Sequence, residues 1–356
     1  MKILSVRGAL PEHRYAQAEI TDTYFDVISR GGMPASTEAL LRRFHGNAGV
    51  HHRHLAIPLE EYGGLDDFGA SNDRFIEAGT QLGAQALADA LKAADLTPAD
   101  VDLIMCTTVT GLAVPSLDAR IAGVLGLRPD VKRVPLVGLG CVAGAAGIAR
   151  LHDYLVGHPG EVAVLVSVEL CSLTVQRDDL SVPNLVASGL FGDGAAAVVA
   201  TGVGRHEADS APVEVLGSRS HLYPESERTM GWDVTGGGLK IVLNAEVPDL
   251  VRRYLGDDVD GFLEEAGLRR DDIEWWVCHP GGPKVLEAIE DALDLPRSAV
   301  QVTWDSLADI GNLSSASVLH AFEDTLRKRP PRPGSYGVLT GMGPGFCSEL
   351  VLLRAA

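Results

Sequence analysis

One passage of this chain occurs twice, and that repetition limits the folds open to it. In the first copy a helix-patterned stretch, NDRFIEAGTQLGAQALADALKAADL (residues 72–96), is followed by TPADVD and the apolar run LIMCTTV. In the second, DGFLEEAGLRRDDIEWWVCHPGG keeps the same order. At one constant offset Asp100 meets Asp272, Val101 meets Ile273, Asp102 meets Glu274 and Cys106 meets Cys278. The same offset lays Gly140–Cys141 on Asn312–Leu313, each opening a helix-like segment, CVAGAAGIARLHDYL and NLSSASVLHAFEDTL. A third pair, GLFGDGAAAVVA (189–200) and LTGMGPGFCSELVLL (339–353), reads as a hairpin twice, with glycines between two strand-like runs. A repeat of this size predicts two copies of one α/β unit rather than a solenoid. The polar, Gly/Pro-punctuated TGVGRHEADSAPVE places the junction near residue 205, giving halves 1–205 and 206–356. Apolar runs alternating with helices predict buried strands with helices on both faces.

Composition narrows function mainly by exclusion. A formal net charge of -18 over 356 residues argues against a nucleic-acid surface, which needs a basic face. The five cysteines (106, 141, 171, 278, 347) form no CxxC pair, so they read as reduced thiols in a cytoplasmic protein. No apolar run approaches the roughly 20 residues that span a bilayer, and the first residues have no apolar signal core. HHRH at 51–54 is the one metal-like phrase. On a strand His52 and His54 share a face and His51 does not, and no cysteine or carboxylate completes a site, so no metal is expected.

Three positions carry chemistry. Cys141 sits where the apolar run Val134–Leu139 gives way to a helix-like, small-residue stretch. A thiol at a helix start faces free N–H groups and the positive dipole end, which favours the thiolate nucleophile; a buried packing cysteine is the alternative. His279 ends the apolar strand WWVC before a Pro-Gly-Gly break, at a strand end where α/β ligand sites gather; a hydrogen-bonded core histidine is the alternative. Asn312 precedes an apolar helix, as an N-cap or as an amide that donates to an oxyanion. If the repeat brings the two helix starts together, a thiol, an imidazole and a carboxamide meet, and a Cys–His ion pair can activate the thiol.

The phrases NAGVHHRHLAIPLEEY, TGLAVPSLDARIAGVLGL, LVGLGCVAGAAGIARLHDYL, SGLFGDGAAAVV, CHPGGPKVLEAI, GNLSSASVL and GMGPGFCSELVLL cover nearly the whole chain. Together they resemble the type III polyketide synthases, the chalcone-synthase-like branch of the thiolase superfamily. The resemblance implies an α/β thiolase fold, a duplicated αβαβα five-layer architecture, in a homodimer. It also implies a catalytic triad of Cys141, His279 and Asn312. Substrates would be an acyl-CoA starter and malonyl-CoA or methylmalonyl-CoA, condensed repeatedly with loss of carbon dioxide and cyclised, with no cofactor and no carrier protein. Phe191 matches one gatekeeper aromatic, while Ile241 stands where the second would be and widens the pocket. Cys171, Thr174, Trp232, Thr110 and Ser314 are the further pocket positions. Arg53, Gly281 and Gly282 match the CoA-binding region, Gly343, Pro344 and Gly345 the active-site loop, and Val114 the position that reaches across the dimer. Met342 stands where the family usually has phenylalanine.

The stretch YPESERTMGWDVTGGGLKIVLNAEVPDLV is most similar to bacterial enzymes that make alkylresorcinols or alkylpyrones from long-chain fatty acyl-CoA. That starter needs an apolar tunnel beyond Thr174 and Cys171, each buried methylene contributing about 0.8 kcal/mol. The alternatives are an aromatic- or malonyl-primed enzyme (chalcone or tetrahydroxynaphthalene type), a single-round ketoacyl synthase, and a Cys-His-Asn thioester hydrolase.

Overall fold

The computed structural model describes residues 1–28, 34–176 and 179–356. Its strands in the first half are β1 (Lys2–Ala9), β2 (His13–Ala16), β3 (His52–Leu55), β4 (Leu103–Thr108), β5 (Lys132–Val137), β6 (Val162–Leu170) and β7 (Asp193–Thr201). In the second half they are β8 (Val213–Leu222), β9 (Met230–Thr235), β10 (Gly238–Leu243), β11 (Ile273–Cys278), β12 (Tyr336–Gly343) and β13 (Cys347–Ala355). The helices are α1 (Gln17–Ile28), α2 (Ala35–Gly46), α3 (Phe68–Ala93), α4 (Leu117–Leu125), α5 (Ala143–Gly157) and α6 (Val182–Leu190). Then follow α7 (Val247–Glu265), α8 (Pro283–Leu293), α9 (Gln301–Ile310) and α10 (Ser317–Lys328).

The nine-stranded sheet shows the duplication in its order, β11-β12-β13-β8-β1-β7-β6-β4-β5. From the centre outward, β1, β7, β6 and β4 correspond to β8, β13, β12 and β11. The directions agree: β6 with β4 and β12 with β11 are parallel, while β6 with β7 and β12 with β13 are antiparallel. The halves meet at β1–β8 through only Lys2↔Glu214 and Ile3↔Val213. Matched turns make the copies alike in detail. Asp100 accepts the Thr97 N–H at 2.9 Å, and Asp272 accepts the Arg269 N–H at 2.7 Å.

Layers follow from which faces are apolar. β6 and β7 are buried along their whole length, as their mostly apolar sequences favour. One core lies between the first half's strands and α3 and α4, and a second packs α7 and α8 on the other half. A third surrounds the central pair α5 and α10. Helix, sheet, helix pair, sheet and helix make the five layers of the thiolase fold.

Three expectations need correction. The first long helix starts at Phe68, capped by Asp67 accepting the Ala70 N–H at 2.8 Å, four residues before Asn72. Asn72 lies within that helix and exchanges hydrogen bonds of 2.8 Å with the backbone of Leu112. Residues 189–200 form no hairpin: α6 ends there and β7 begins, so only 339–353 is one. The run before Cys141 is an edge strand rather than a buried one, because β5 pairs with β4 alone and Val137 is 60% exposed.

Candidate active site

Cys141 occupies a helical turn, Gly140–Val142, that leads directly into α5. Gly140 has φ +55° and leaves no room for a side chain, since a Cβ there would lie 2.8 Å from the ring of Pro344. Gly144 admits the other half of the molecule: a Cβ would lie 2.3 Å from the Ser315 carbonyl oxygen. This close approach of the two helix starts puts the Cys141 Sγ 3.7 Å from the Ser314 Oγ.

His279 follows β11 and is 5% exposed; its backbone N–H donates to Thr340 O at 2.9 Å and its carbonyl accepts from Gly281 N at 2.9 Å. Its Nδ1 has no partner among the described residues. Asn312 is fixed at both ends. Its N–H donates to Leu190 O and its carbonyl accepts from Gly192 N, both at 2.9 Å. Its Oδ1 accepts from Ser314 N at 2.8 Å and from the Ser317 hydroxyl at 3.3 Å. Asn312 is not the N-cap that the sequence offered, because the caps of the two helical segments that follow are Leu313 and Ala316; its Oδ1 instead closes a local turn on Ser314 N, which occupies the carbonyl end of the amide. The Nδ2 end is left with one long contact, 3.5 Å to Gly281 O.

Cys141, His279, Asn312 and Ser314 all line one cavity of about 660 Å3. Phe191, Cys171, Gly281, Gly282 and Pro344 share its wall with Trp232 and Ile241, which face each other across the β9–β10 ladder. Met342 lines it too. The duplication thus brings the three sequence-selected residues to one chamber.

Burial dominates the electrostatics. It pushes the Cys141 thiol up to about 12 and the His279 imidazole down to about 4. Each group alone is neutral at pH 7, so charge can form only on both together. Position at a helix start does not by itself make Cys141 a thiolate here.

Several sequence-selected positions lie elsewhere. Arg53 is not at an entrance: it is 3% exposed, with Nε donating to Gln17 Oε1 at 2.9 Å and Nη1 to Phe191 O at 2.8 Å. The exposed basic residues that line the cavity are Arg43 and Lys284, which the sequence reading missed because single surface cations carry no local signal. Thr174 bounds a smaller cavity of about 70 Å3 beyond Cys171, not the main one. Thr110 lies beneath the chamber, donating to Glu169 Oε2 at 2.9 Å. Gly343 and Gly345 shape the β12–β13 turn while only Pro344 of that loop lines the chamber. Val114 is 97% exposed and far from burial in the single chain.

Glu169 was also missed. It is fully buried, accepts from Ser315 Oγ at 2.5 Å and from Val109 N at 3.1 Å, and burial raises its carboxyl pKa. Its signal was there to read, an acidic residue inside the otherwise apolar strand VAVLVSVEL.

Sequence profiles agree with this geometry. Residues 1–204 match the N-terminal domain of chalcone and stilbene synthases, and residues 214–356 match the C-terminal domain. The chain belongs to that family. It is a type III polyketide synthase, an acyltransferase. A 1,3,6,8-tetrahydroxynaphthalene synthase of Streptomyces peucetius subsp. caesius is 54% identical over 352 residues, 99% of this chain and 92% of the relative. A 3,5-dihydroxyphenylacetyl-CoA synthase of Streptomyces toyocaensis is 33% identical, over 99% of this chain and 90% of its own. The crystal structure of the 1,3,6,8-tetrahydroxynaphthalene synthase of Streptomyces coelicolor, a bacterial type III polyketide synthase, superposes with a TM-score of 0.92 at 29% identity, covering 100% of this chain and 99% of the other. In this polyketide synthase no helix among the described residues is long and apolar enough to cross a membrane.

Proposed function

We propose that this type III polyketide synthase is primed by malonyl-CoA and makes a tetrahydroxynaphthalene-type product. The observation that carries the reading is 54% identity, across 99% of the chain, to an enzyme of that activity. This replaces the long-chain alkylresorcinol or alkylpyrone product expected from the sequence. The volumes support the change: beyond Cys171 and Thr174 the cavity is about 70 Å3, against about 660 Å3 for the chamber that a coiled polyketide would fill.

The residues take the following parts. The Cys141 thiol gives its proton to His279 and attacks the starter thioester, forming a Cys141 thioester as the CoA thiolate leaves and is protonated. A malonyl-CoA extender then loses carbon dioxide. The enolate oxygen left behind is held by His279 and by the free Nδ2 hydrogens of Asn312, in a chamber where such donors act strongly. The enolate carbon attacks the Cys141 thioester and the lengthened chain passes to CoA, ready to reload. Arg43 and Lys284 are placed to receive CoA phosphates, in the part first given to Arg53. No carrier protein, cofactor or metal has a part in this scheme. The exposed Val114 and the β5 edge form the face on which a second copy packs.

The test is incubation of the purified protein with malonyl-CoA alone, followed by mass analysis. Formation of tetrahydroxynaphthalene is the expected result. A product that appears only when a long-chain or aromatic acyl-CoA is added would overturn the reading, and free acid without carbon dioxide release would point to hydrolysis.

A further inference from the structure

The cavity of about 70 Å3 beside Phe191 is lined mostly by apolar surface, with Arg53 as the cation in its wall. Cys171, Phe191, Trp232 and Ile241 belong to its wall and to that of the main chamber, so the two spaces adjoin at those side chains. Arg53 lines the smaller space and not the chamber. Two of its three nitrogens are used, Nε by Gln17 and Nη1 by Phe191 O, whereas Nη2 is buried with no partner among the described residues. No carboxylate among those residues comes within ion-pair distance (4.0 Å) of this guanidinium. Asp193, which attracts it from farther off, is taken up by Ala56 N at 2.6 Å, Ser172 N at 2.8 Å and the Ser172 hydroxyl. A buried cation with an unused pair of N–H groups is costly unless an anionic or strongly accepting group completes it.

We propose that this side cavity is a subsite for the carboxylate at the distal end of a chain held on Cys141, with Arg53 Nη2 as its donor. The inference rests on the malonyl-primed reading. Transfer of malonyl from CoA to Cys141 makes one thioester and breaks another, leaving the far carboxylate intact. As condensation inserts carbons next to Cys141, that carboxylate moves away from the sulfur and towards Phe191. The same N–H groups have nothing to offer an alkyl end, which would leave Nη2 desolvated and unpaired. Selection for an anionic tail and against a hydrocarbon tail therefore comes from one buried residue.

The test compares two thioesters that differ only at the tail, glutaryl-CoA and its neutral isostere 5-methylhexanoyl-CoA, competing to acylate Cys141. Intact-protein mass spectrometry reads the ratio of the two adducts. Wild-type protein should favour glutaryl. Arg53→Gln, whose amide can still donate to Phe191 O, should shift the ratio at least about tenfold towards the neutral chain, the scale expected when one partner of a buried charge pair is lost. Ala187→Leu fills the cavity and leaves Arg53 in place, so it reports even if the Arg53 variant unfolds; the same shift is expected. An unchanged ratio in either folded variant, or a neutral preference in the wild type, would overturn the subsite. Production of tetrahydroxynaphthalene from malonyl-CoA alone, measured in parallel, separates the two ideas. Tetrahydroxynaphthalene with an unchanged ratio ends the subsite and keeps the function; a shifted ratio without that product does the reverse.

Discussion

At the residue scale the chamber depends on how each polar group is committed. Asn312 separates a structural role from chemistry, because Oδ1 is engaged by Ser314 N and Ser317 while Nδ2 has only one long contact. Asn312→Asp keeps the acceptor that closes the turn and removes the donor. Malonyl-CoA decarboxylation should fall by about 10²–10³, the usual loss for one oxyanion donor, and the buried carboxylate should lower the melting temperature as well. Asn312→Ala should lose activity and about 1 kcal/mol of stability together, the scale of a lost turn hydrogen bond. Equal decarboxylation rates in Asn312→Asp and wild type would remove the amide from the mechanism. The Cys141–His279 pair makes a second prediction. Burial, with Glu169 adding to it, holds the thiol at about 12 despite the Ser314 hydrogen bond, so a proton acceptor such as the imidazole is needed to bring its titration down. In His279→Ala the pH midpoint for alkylation of Cys141 by iodoacetamide should move upward by about 1–3 pH units. A midpoint shared with wild type would mean that the two side chains do not exchange a proton.

At the scale of elements, the contact between α5 and α10 aligns the site. α5 begins with Ala143–Gly147, all buried and all small, and α10 begins with Ser317 and Val318, also buried. A helical glycine replaced by alanine ordinarily gains up to about 1 kcal/mol in propensity. At Gly144 the sign should reverse, because the new methyl would sit 2.3 Å from Ser315 O and 2.6 Å from Val318. Gly144→Ala should cost about 1–3 kcal/mol in denaturant unfolding and reduce acyl transfer, since the shift separates Cys141 from Ser314. A stabilised or equally active variant would show that the helix starts have slack.

At the scale of the whole molecule, edge strand β5 and its neighbours leave apolar side chains in solvent, with Val114 97% and Val137 60% exposed. A second copy of the chain covers that face in the proposed dimer. Val114→Asp should raise the concentration at which light scattering reports monomer, by roughly tenfold or more per protomer pair for a charge placed in an apolar interface. A wild-type protein that is monomeric at micromolar concentration would refute the assembly. The same scale shows where sequence reading fell short. Arg53 matched the CoA-binding region by resemblance, but β3 turns it inward under Phe191. The 189–200 phrase looked like a hairpin because Gly-rich junctions of both kinds read alike. The pairing of β6 with β7 is antiparallel as in a hairpin, yet residues 171–192 intervene, with α6 among them.

What the sequence determined on its own was the duplicated α/β unit and the three residues of the chamber, while the five-layer thiolase class came through the family resemblance. Those follow from short-range patterns: apolar runs, capped turns at Asp100 and Asp272, and phrases around Cys141, His279 and Asn312 that repeat or resemble a family. Only the tertiary structure decided which groups share a space and which protonation state each holds. Contacts between residues more than a hundred positions apart set those outcomes, such as Gly144 with Ser315, Arg53 with Phe191 and Ser315 with the buried Glu169. Burial, which shifts a thiol and an imidazole in opposite directions, is a property of the packed chain and is not written at any one position.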